Sequence, residues 1–429
     1  MSNFFTVTAL FSAVAVAFVS QVPLTPPFPD RLNEEWDDSC SISKSTAFEV
    51  YDGLITFSTS QSDHINSVKI LPAVNSTNWE QWEFDGLSHT GLSGLLMAFS
   101  RDPSYAFFGQ GNLRVEFYIT LGDGTVIQEL DYLKESYIID CPDFTAGVWN
   151  SSDRSYSFHV TKDLKYAKLK FDSWRVRGGF TMSSSTPPHN ADGSPWIPEG
   201  GNAKATELSP GMFYALPMGG AAVEVDATLG SGRRIVFSGR GGSTRLWATE
   251  GWLKICDGWK VIRAWAGPYS LVYWDLVSRM DWGVKYVSAH LFYDDQLVVG
   301  TNVGNVSETE DYVLATDRFD GELHGRYKDK NTGHIFEFVS PTQDRRWKFE
   351  LEHMITQYEM GAGGGFGMTG FANRVTGGEV GEIQYEGRAQ SEQTFWPEYI
   401  EEWKIWLVYG AGFLGKGKTQ FMKLMGYIL

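Results

Sequence analysis

Short stretches in which apolar and polar residues alternate recur along most of the chain. In the clearest stretch, two groups of residues alternate along the chain. The first group is Leu113, Val115, Phe117, Ile119 and Leu121, and the second is Arg114, Glu116, Tyr118 and Thr120. A period of two is that of a β-strand with one buried face. The Gly122-Asp123-Gly124 segment that follows predicts a tight hairpin turn, because Asp-Gly tolerates positive φ angles.

Comparable stretches occur at 223–229, 284–293, 334–339 and 347–351. Long helical patterns rich in Ala, Leu, Glu and Lys are absent. Aromatic residues make up 15% of the chain, which also has 46 glycines, and this composition suits strands and turns. Frequent strands without intervening helices predict an all-β protein built as sandwiches or barrels.

The length of 429 residues exceeds what one hydrophobic core usually supports. Four prolines between positions 23 and 29 indicate an extended tether, so the ordered protein is expected to begin near Asp30. A second Pro- and Gly-rich segment, 183–211, indicates a long loop, and strand character returns after it. We therefore predict two β domains, over 30–225 and 226–429.

The first 22 residues contain an apolar run over 9–19 that is too short to cross a bilayer but fits the core of a signal peptide. A disordered apolar tail is the alternative, because no basic segment precedes the run. Three sequons, at Asn75, Asn150 and Asn305, would be glycosylated if the chain enters the secretory route. The protein is expected there, or outside the cell, if the leader is genuine, and in the cytoplasm otherwise.

Three cysteines are too few for a disulfide framework or a zinc site built on cysteine. A single Cys40–Cys141 bridge is compatible with an oxidising compartment, and inert buried thiols are the alternative. The formal net charge of −16, with no basic run longer than two residues, argues against a nucleic-acid partner.

Two glycine motifs suggest nucleotide binding, but neither has the sequence context that it needs. The GxxxxGK[ST] match at 412–419 is followed by only ten residues, and no helical pattern follows the GxGxxG match at 365–370. We interpret the first as a coincidence and the second as a glycine-rich β corner. HExxH and GxSxG are both absent, so neither an HExxH metalloprotease nor a hydrolase with a GxSxG nucleophile elbow is indicated.

The segment 239–274 has the highest density of aromatic residues, and these are Trp247, Trp252, Trp259, Trp265, Tyr269, Tyr273 and Trp274. So many large rings indicate either the lining of an apolar pocket or an ordinary core. Carboxylates next to Trp79 and Trp82, in WEQWEFDG, leave a glycoside hydrolase as a minor alternative, because such sites pair two acids across a cleft.

Four stretches resemble the fungal intramolecular Diels–Alderases, the lipocalin-like pericyclases that are themselves similar to carotenoid hydratase-like proteins. They are WEFDGLS at 82–88, GNLRVEFY at 111–118, the segment from GRGGSTRLWATEGW through AGPYSL at 239–271, and RVTGGEVG with the later Ser391-Glu392-Gln393. The resemblance implies an N-terminal β-sandwich-like domain and a C-terminal lipocalin-like β-barrel. It also implies a pocket for a hydrophobic polyene with a tetramic-acid-type head group, which is cyclised without a cofactor in secondary metabolism.

Residue by residue, the resemblance implies catalytic roles for Glu83, Asn112 and Trp252, with the first two as polar contacts to the head group. It implies substrate-binding walls formed by Tyr214, Trp247, Trp265 and Tyr269. The segment 241–245 lacks the His and the acidic residue of hydratase-like relatives, which argues against addition of water. A non-catalytic carrier of lipocalin type would have the same pocket and remains the principal alternative.

Overall fold

A computed structural model describes residues 39–58, 64–103, 111–197 and 203–397. The predicted leader at 1–22 and the GxxxxGK[ST] match at 412–419 lie outside the described residues. Within the described residues the chain is almost entirely β, which confirms the predicted fold class. No helix in these ranges is long and apolar enough to span a bilayer.

The strands up to residue 248 are β1 (Ser41–Thr46), β2 (Thr56–Phe57), β3 (Ile70–Leu71), β4 (Trp79–Ser88), β5 (Gly94–Arg101), β6 (Leu113–Thr120), β7 (Val126–Tyr132), β8 (Glu135–Asp140), β9 (Phe144–Asn150), β10 (Ser155–Thr161), β11 (Tyr166–Asp172), β12 (Val176–Ser184), β13 (His189–Asn190), β14 (Glu207–Ser209), β15 (Met212–Leu229) and β16 (Arg234–Ala248). A short helix, α1 (Trp252–Ile255), follows them. The remaining strands are β17 (Cys256–Ala266), β18 (Tyr269–Ser278), β19 (Lys285–Tyr293), β20 (Gln296–Thr301), β21 (Tyr312–Arg318), β22 (Gly333–Ser340), β23 (Arg345–Gly363), β24 (Phe366–Glu379) and β25 (Tyr385–Phe395). Two 3-10 turns lie at Ala203–Thr206 and Pro341–Gln343.

The first sheet runs β1-β8-β9-β10-β11-β12-β15-β16-β4-β5-β6-β7, with β13 and β14 paired to β15. It curves into a half-barrel. The long hairpin β15–β16 joins its two halves, because β15 pairs with β12 while β16 pairs with β4. The chain leaves this sheet between Ala248 and Cys256, whereas the sequence placed the domain boundary near residue 226, within β15. Both strands of the hairpin therefore belong to the first unit.

The second sheet runs β20-β19-β18-β17-β25-β24-β23-β22-β21 and forms a nearly closed barrel. Its edges meet where the Val313 N–H on β21 donates to the Val303 carbonyl just after β20, at 3.0 Å. Apolar side chains such as Leu271, Phe336 and Phe349 fill the interior. The small sheet β2-β3 is hydrogen-bonded to neither of them, and Phe57 on β2 packs against the core of the first sheet.

Two turns form as the sequence predicts. The β6–β7 hairpin closes with Gly124 at φ +82° and with the Leu121 N–H donating to the Thr125 carbonyl at 2.9 Å. The predicted glycine corner joins β23 to β24 at Gly364 and Gly365, with φ angles of +59° and +82°. The backbone at these positions has a left-handed conformation, which glycine reaches without strain and which a residue with a side chain would not.

The alternation along β6 was expected to bury one face only, but the structure buries both. Val115 and Phe117 enter the core of the first sheet. The opposite, more polar face of β6 packs against the second sheet, where the Thr120 hydroxyl donates to the Gln357 carbonyl on β23 at 2.7 Å. Polar residues of the first sheet are therefore buried between the two sheets.

A disulfide joins Cys40, just before β1, to Cys141, just after β8, and spans 101 positions of sequence. It fastens the edge strand β1 to its neighbour. Because the bridge restricts a long loop in the unfolded chain, we expect Cys141→Ser to lower the free energy of unfolding by about 2–4 kcal/mol. Urea unfolding of the oxidised proteins measures this loss. Dithiothreitol should lower the midpoint of the native chain but not that of the variant, and an equal response would contradict the expectation.

Candidate functional site

A cavity of about 40 Å³ lies between the two sheets. Strands from both sheets and the helix α1 contribute to its walls. The lining side chains are Gln81, Glu83, Leu96, Ala98, Arg114, Glu116, Leu246, Trp252, Trp259, Val261, Trp274, Met360, Met368, Glu392 and Trp396. Within the described ranges no group of three or more His, Cys, Asp or Glu side chains is arranged to hold a metal ion.

One wall of the cavity is a stack of indole rings. Trp252, at the start of α1, lies between Trp79 and Trp259, with ring centroids 4.1 Å and 4.5 Å away. Trp396 meets Trp259 edge-on at 5.6 Å. The Trp79 N–H donates to the Glu250 carbonyl at 2.8 Å, which fixes the outer ring of the stack. Large rings held in this way give the wall a defined shape.

Three carboxylic acids form the polar side of the cavity, namely Glu83 on β4, Glu116 on β6 and Glu392 on β25. Strand geometry places them there, because alternate residues point to opposite faces. On β4, for example, Trp82 and Phe84 enter the first core, so Glu83 between them points towards the second sheet. The polar wall thus comes from three strands that are distant in sequence.

The two acids Glu83 and Glu392 differ in their hydrogen bonds. The Trp259 N–H donates to Oε1 of Glu392 at 2.6 Å, and the Tyr358 hydroxyl donates to its Oε2 at 2.8 Å. Glu83 accepts a hydrogen bond on Oε2 alone, from the Gln81 amide at 3.1 Å. The pattern of two donors suits an ionised Glu392, since a carboxylate is stabilised by each hydrogen bond that it accepts.

Burial raises the pKa of Glu83 to about 8, and the negative charges of Glu392 and Asp85 add to the rise. Burial also raises the pKa of Glu392 to about 7, although the hydrogen bonds from Trp259 and Tyr358 oppose this change. Both side chains are half-buried. Burial and the neighbouring negative charges therefore favour the neutral form of Glu83.

The cations near the cavity are already engaged by acids. Arg114 contacts Glu116 Oε1 through Nε at 2.7 Å and Asp102 Oδ2 through Nη1 at 3.3 Å. Arg263, on β17, donates from Nε to both oxygens of Asp85, on β4, at 3.0 Å and 2.9 Å. This second ion pair also links the two sheets next to the cavity.

Of the residues predicted as catalytic, the structure brings Glu83 and Trp252 together in the cavity wall. Asn112 lies elsewhere, in the turn before β6, where its side-chain amide donates to the Glu49 carbonyl at 2.7 Å. Its backbone also bonds to Ala47 and Asp102. These contacts show that Asn112 holds neighbouring loops of the first sheet together. Its contact with the substrate remains a prediction.

The predicted substrate-binding residues are dispersed. Tyr214 packs edge-on against Trp274, a lining residue, with centroids 5.1 Å apart. Trp247 stacks on Phe213 in the core of the first sheet, and Tyr269 is part of the barrel interior. Trp265 is half-buried on β17 and does not line the cavity.

Several lining residues were not selected from the sequence. Glu116 and Arg114 were assigned to the exposed face of an alternating strand, and Trp259 and Trp274 were noted only as part of an aromatic segment. Glu392 stood within a stretch that carried the resemblance, but no role was attached to it. In the sequence, Arg114 and Glu116 look like the solvent-facing residues of an ordinary alternating strand, so no local signal marks them.

A cavity lined by aromatic rings, with ionisable groups on one side, is typical of proteins that take up a small organic molecule. Residues 37–397 match the Diels-Alderase-like family. Hexane cyclase xenF of Xenoacremonium sinensis is 74% identical over 424 residues, which cover 99% of this chain and 98% of that protein. Diels-Alderase mycB of Thermothelomyces thermophilus is 45% identical over 394 residues, 90% of this chain and 89% of that protein.

The crystal structure of CghA with Sch210972 matches with a TM-score of 0.75 at 26% identity, covering 84% of this chain and 100% of that one. The chain therefore belongs to the Diels-Alderase-like family and is an enzyme that catalyses cyclisation. The resemblance seen in the sequence is confirmed.

Proposed function

We propose that this enzyme catalyses a stereoselective intramolecular [4+2] cyclisation of a linear polyene polyketide in secondary metabolism, without a cofactor. The observation that carries the proposal is the cavity between the sheets, which is lined by both stacked indoles and acids. The apolar wall suits a polyene chain, and the acidic wall suits a polar head group. The resemblance favours a head group of the tetramic-acid type.

A Diels–Alder closure needs the diene and the dienophile to be held face to face. Holding the reacting atoms together in a well-oriented complex can supply about 7 to 11 kcal/mol of the barrier. The rings of Trp252 and Trp259 would curl the chain, because they are braced by Trp79 and Trp396. A hydrogen bond to the carbonyl conjugated with the dienophile would stabilise the negative charge that develops on its oxygen.

The cavity must widen to admit such a substrate, because binding sites for ligands of that size occupy roughly 300–1,000 Å³. Met360 on β23 and Met368 on β24 line it with unbranched side chains. Methionine changes rotamer easily and fills irregular space, so these two residues are suited to move aside. Entry of the substrate would then rearrange the methionine side while the stacked indoles keep their positions.

A timed chromatographic assay tests the proposal. Linear polyenes carrying different head groups are incubated with and without the purified protein, and the ratio of ring diastereomers is followed. We expect a faster reaction that gives one dominant isomer. If rate and isomer ratio equal those of the spontaneous reaction for every head group while the polyenes quench tryptophan fluorescence, the protein is a carrier and the proposal is wrong.

A further inference from the structure

The turn between β18 and β19 exposes three apolar side chains to solvent. Trp282 is 97% exposed, and Met280 and Val284 beside it are each 45% exposed. Single exposed apolar residues are ordinary on protein surfaces. A full indole between two further apolar side chains in one turn is instead a feature of contact surfaces. Residues 279–284 are called the tip below.

Hydrogen bonds hold the tip in one shape. The Gly283 N–H donates to the Ser278 carbonyl at 2.7 Å, and the Val284 N–H donates to the Asp281 carbonyl at 3.0 Å. Trp282 has a φ of +50°, a left-handed conformation that is unfavourable for a residue with a large side chain. The turn therefore keeps this indole in solvent, where it contributes nothing to the core.

Arg279 joins the tip to the last described residues. Its Nη2 donates to the Pro397 carbonyl at 2.5 Å, and its Nε donates to Asp257 Oδ1 at 2.6 Å. Its Nη1 donates to the Leu253 carbonyl on α1. Pro397 directly follows Trp396, which lines the cavity. The tip, the helix α1 and the end of the described chain thus lie together beside the cavity.

The sequence after Pro397, residues 398–429, differs in composition from the chain as a whole and is called the C-terminal segment below. It includes seven aromatic residues, and its part over 403–429 has four lysines and no acid. It lies beyond the match to the Diels-Alderase-like family, which ends at residue 397. Trp, Tyr and Lys together are the residues that favour the interface between a bilayer and water.

We propose that the tip and the C-terminal segment form a surface that docks this enzyme on a lipid bilayer with anionic headgroups. Trp282 and its two apolar neighbours insert among the headgroups, where an indole can bury its ring and keep its N–H near water. The lysines of the C-terminal segment lie against the lipid phosphates. The bilayer then covers the apolar side chains that the turn leaves exposed.

The overall charge of the chain limits which face can meet such a bilayer. A formal net charge of −16 is repelled by an anionic surface, so contact requires a face on which lysines are concentrated. Next to the tip, Asp257 is paired with Arg279 at 2.6 Å, and within it Asp281 accepts a hydrogen bond from the Tyr286 hydroxyl at 2.5 Å. The C-terminal segment continues from this end and brings its lysines to it.

The docked surface lies next to the indole wall of the cavity. Trp252 stands on α1, to which Arg279 is bonded, and Trp396 immediately precedes Pro397. A linear polyene dissolves poorly in water and partitions into lipid. The docked enzyme therefore takes its substrate from the bilayer. This use of the surface rests on the proposed function, whereas the docking itself does not.

Vesicle flotation tests the docking in the full-length protein. We expect the native chain to float with vesicles that contain phosphatidylserine, and to bind about tenfold more weakly to phosphatidylcholine alone, because the lysines lose their anionic partners. Trp282→Ser should weaken binding roughly tenfold or more, since burial of one large ring is lost. A native chain that floats with neither kind of vesicle would overturn the proposal.

The matched control for Trp282 is Trp174→Ser. Trp174 is 66% exposed in the β11–β12 turn. That turn adjoins the Val176–Leu229 pair at the far end of β15, whereas the tip lies beside Gly211, just before β15 begins. Trp174→Ser should bind vesicles as the native chain does. Equal losses in the two variants would show that the tip has no special part and would overturn the proposal.

Reversing charge tests the C-terminal segment. Lys416→Glu with Lys418→Glu should weaken binding to phosphatidylserine vesicles by about tenfold or more. The control, Lys134→Glu with Lys165→Glu, changes the net charge equally at exposed positions of the first sheet and should have little effect. Equal effects of the two pairs would overturn the role of the segment. A native chain that forms dimers which Trp282→Ser separates would assign the tip to a second copy of this chain instead.

Activity separates failure of the docking from failure of the proposed cyclisation. Trp282→Ser should keep the native rate with substrate dispersed in buffer, but should lose most of the acceleration when the polyene is supplied in vesicles. A native rate under both conditions would overturn delivery from the bilayer and leave the cyclisation intact. Docking without acceleration of any polyene would refute the proposed function alone.

Discussion

Replacing Arg263 by methionine is expected to lower the free energy of unfolding by about 3 to 5 kcal/mol. The guanidinium donates to both oxygens of Asp85 and, through Nη1, to the Met218 and Gly219 carbonyls at 3.0 Å and 2.8 Å. Asp85 is only 7% exposed, so the variant leaves a carboxylate buried without its counter-ion. Urea unfolding followed by tryptophan fluorescence measures the loss.

The loss should shrink in acid. Burial already raises the pKa of Asp85 above its usual value, although Arg263 opposes the rise. Without Arg263 the folded-state pKa rises further, while the unfolded-state value does not change. The folded variant then binds a proton more tightly than the unfolded chain, so lowering the pH favours the folded state relative to neutral conditions.

A matched control is Arg234→Met. Arg234 forms an ion pair with Asp226 at 2.7 Å, but both side chains are more than 60% exposed, and such surface pairs contribute only about 0–1 kcal/mol. The double variant Asp85→Asn with Arg263→Met should be more stable than Arg263→Met alone, because it removes the unpaired charge. If the two arginine variants lose the same stability, the buried pair does not join the sheets as described.

The strands could be predicted from the sequence because their signals are local. A period of two and the Asp-Gly turn at Gly124 require only neighbouring residues to be compared. The part of the protein that covers each face of a strand, in contrast, can be distant from that strand in the sequence. The face of β6 that carries Glu116 looks exposed until the second sheet, which begins at Cys256, is placed over it. Polar residues there have the same pattern whether water or a cavity faces them.

The residues of the candidate site also divide into those that the sequence indicates and those that only the fold brings to the cavity. Glu83 and Trp252 could be selected because they stand in stretches that resemble a known family. Glu392 reaches the cavity because β25 pairs between β17 and β24, a long-range arrangement that no spacing in the sequence shows. Trp247 and Trp252 are five positions apart and look equivalent in RLWATEGW. Their positions in the fold differ because β16 ends at Ala248, between them, and the chain then passes to the second sheet.

Trp252→Ala is expected to lower the acceleration of cyclisation about 100-fold, since small misplacements of reacting groups have effects of that order. Its ring supports Trp259, which in turn positions Glu392. Removing it should also lower the free energy of unfolding by about 3–5 kcal/mol.

The control is Trp149→Ala, an equal truncation within the first core, away from the cavity. It should lose comparable stability yet keep most of its rate and its isomer ratio at a temperature where both variants are folded. Equal losses of rate would show that Trp252 acts through stability alone, whereas a mixture of diastereomers from Trp252→Ala alone would show that its ring shapes the substrate.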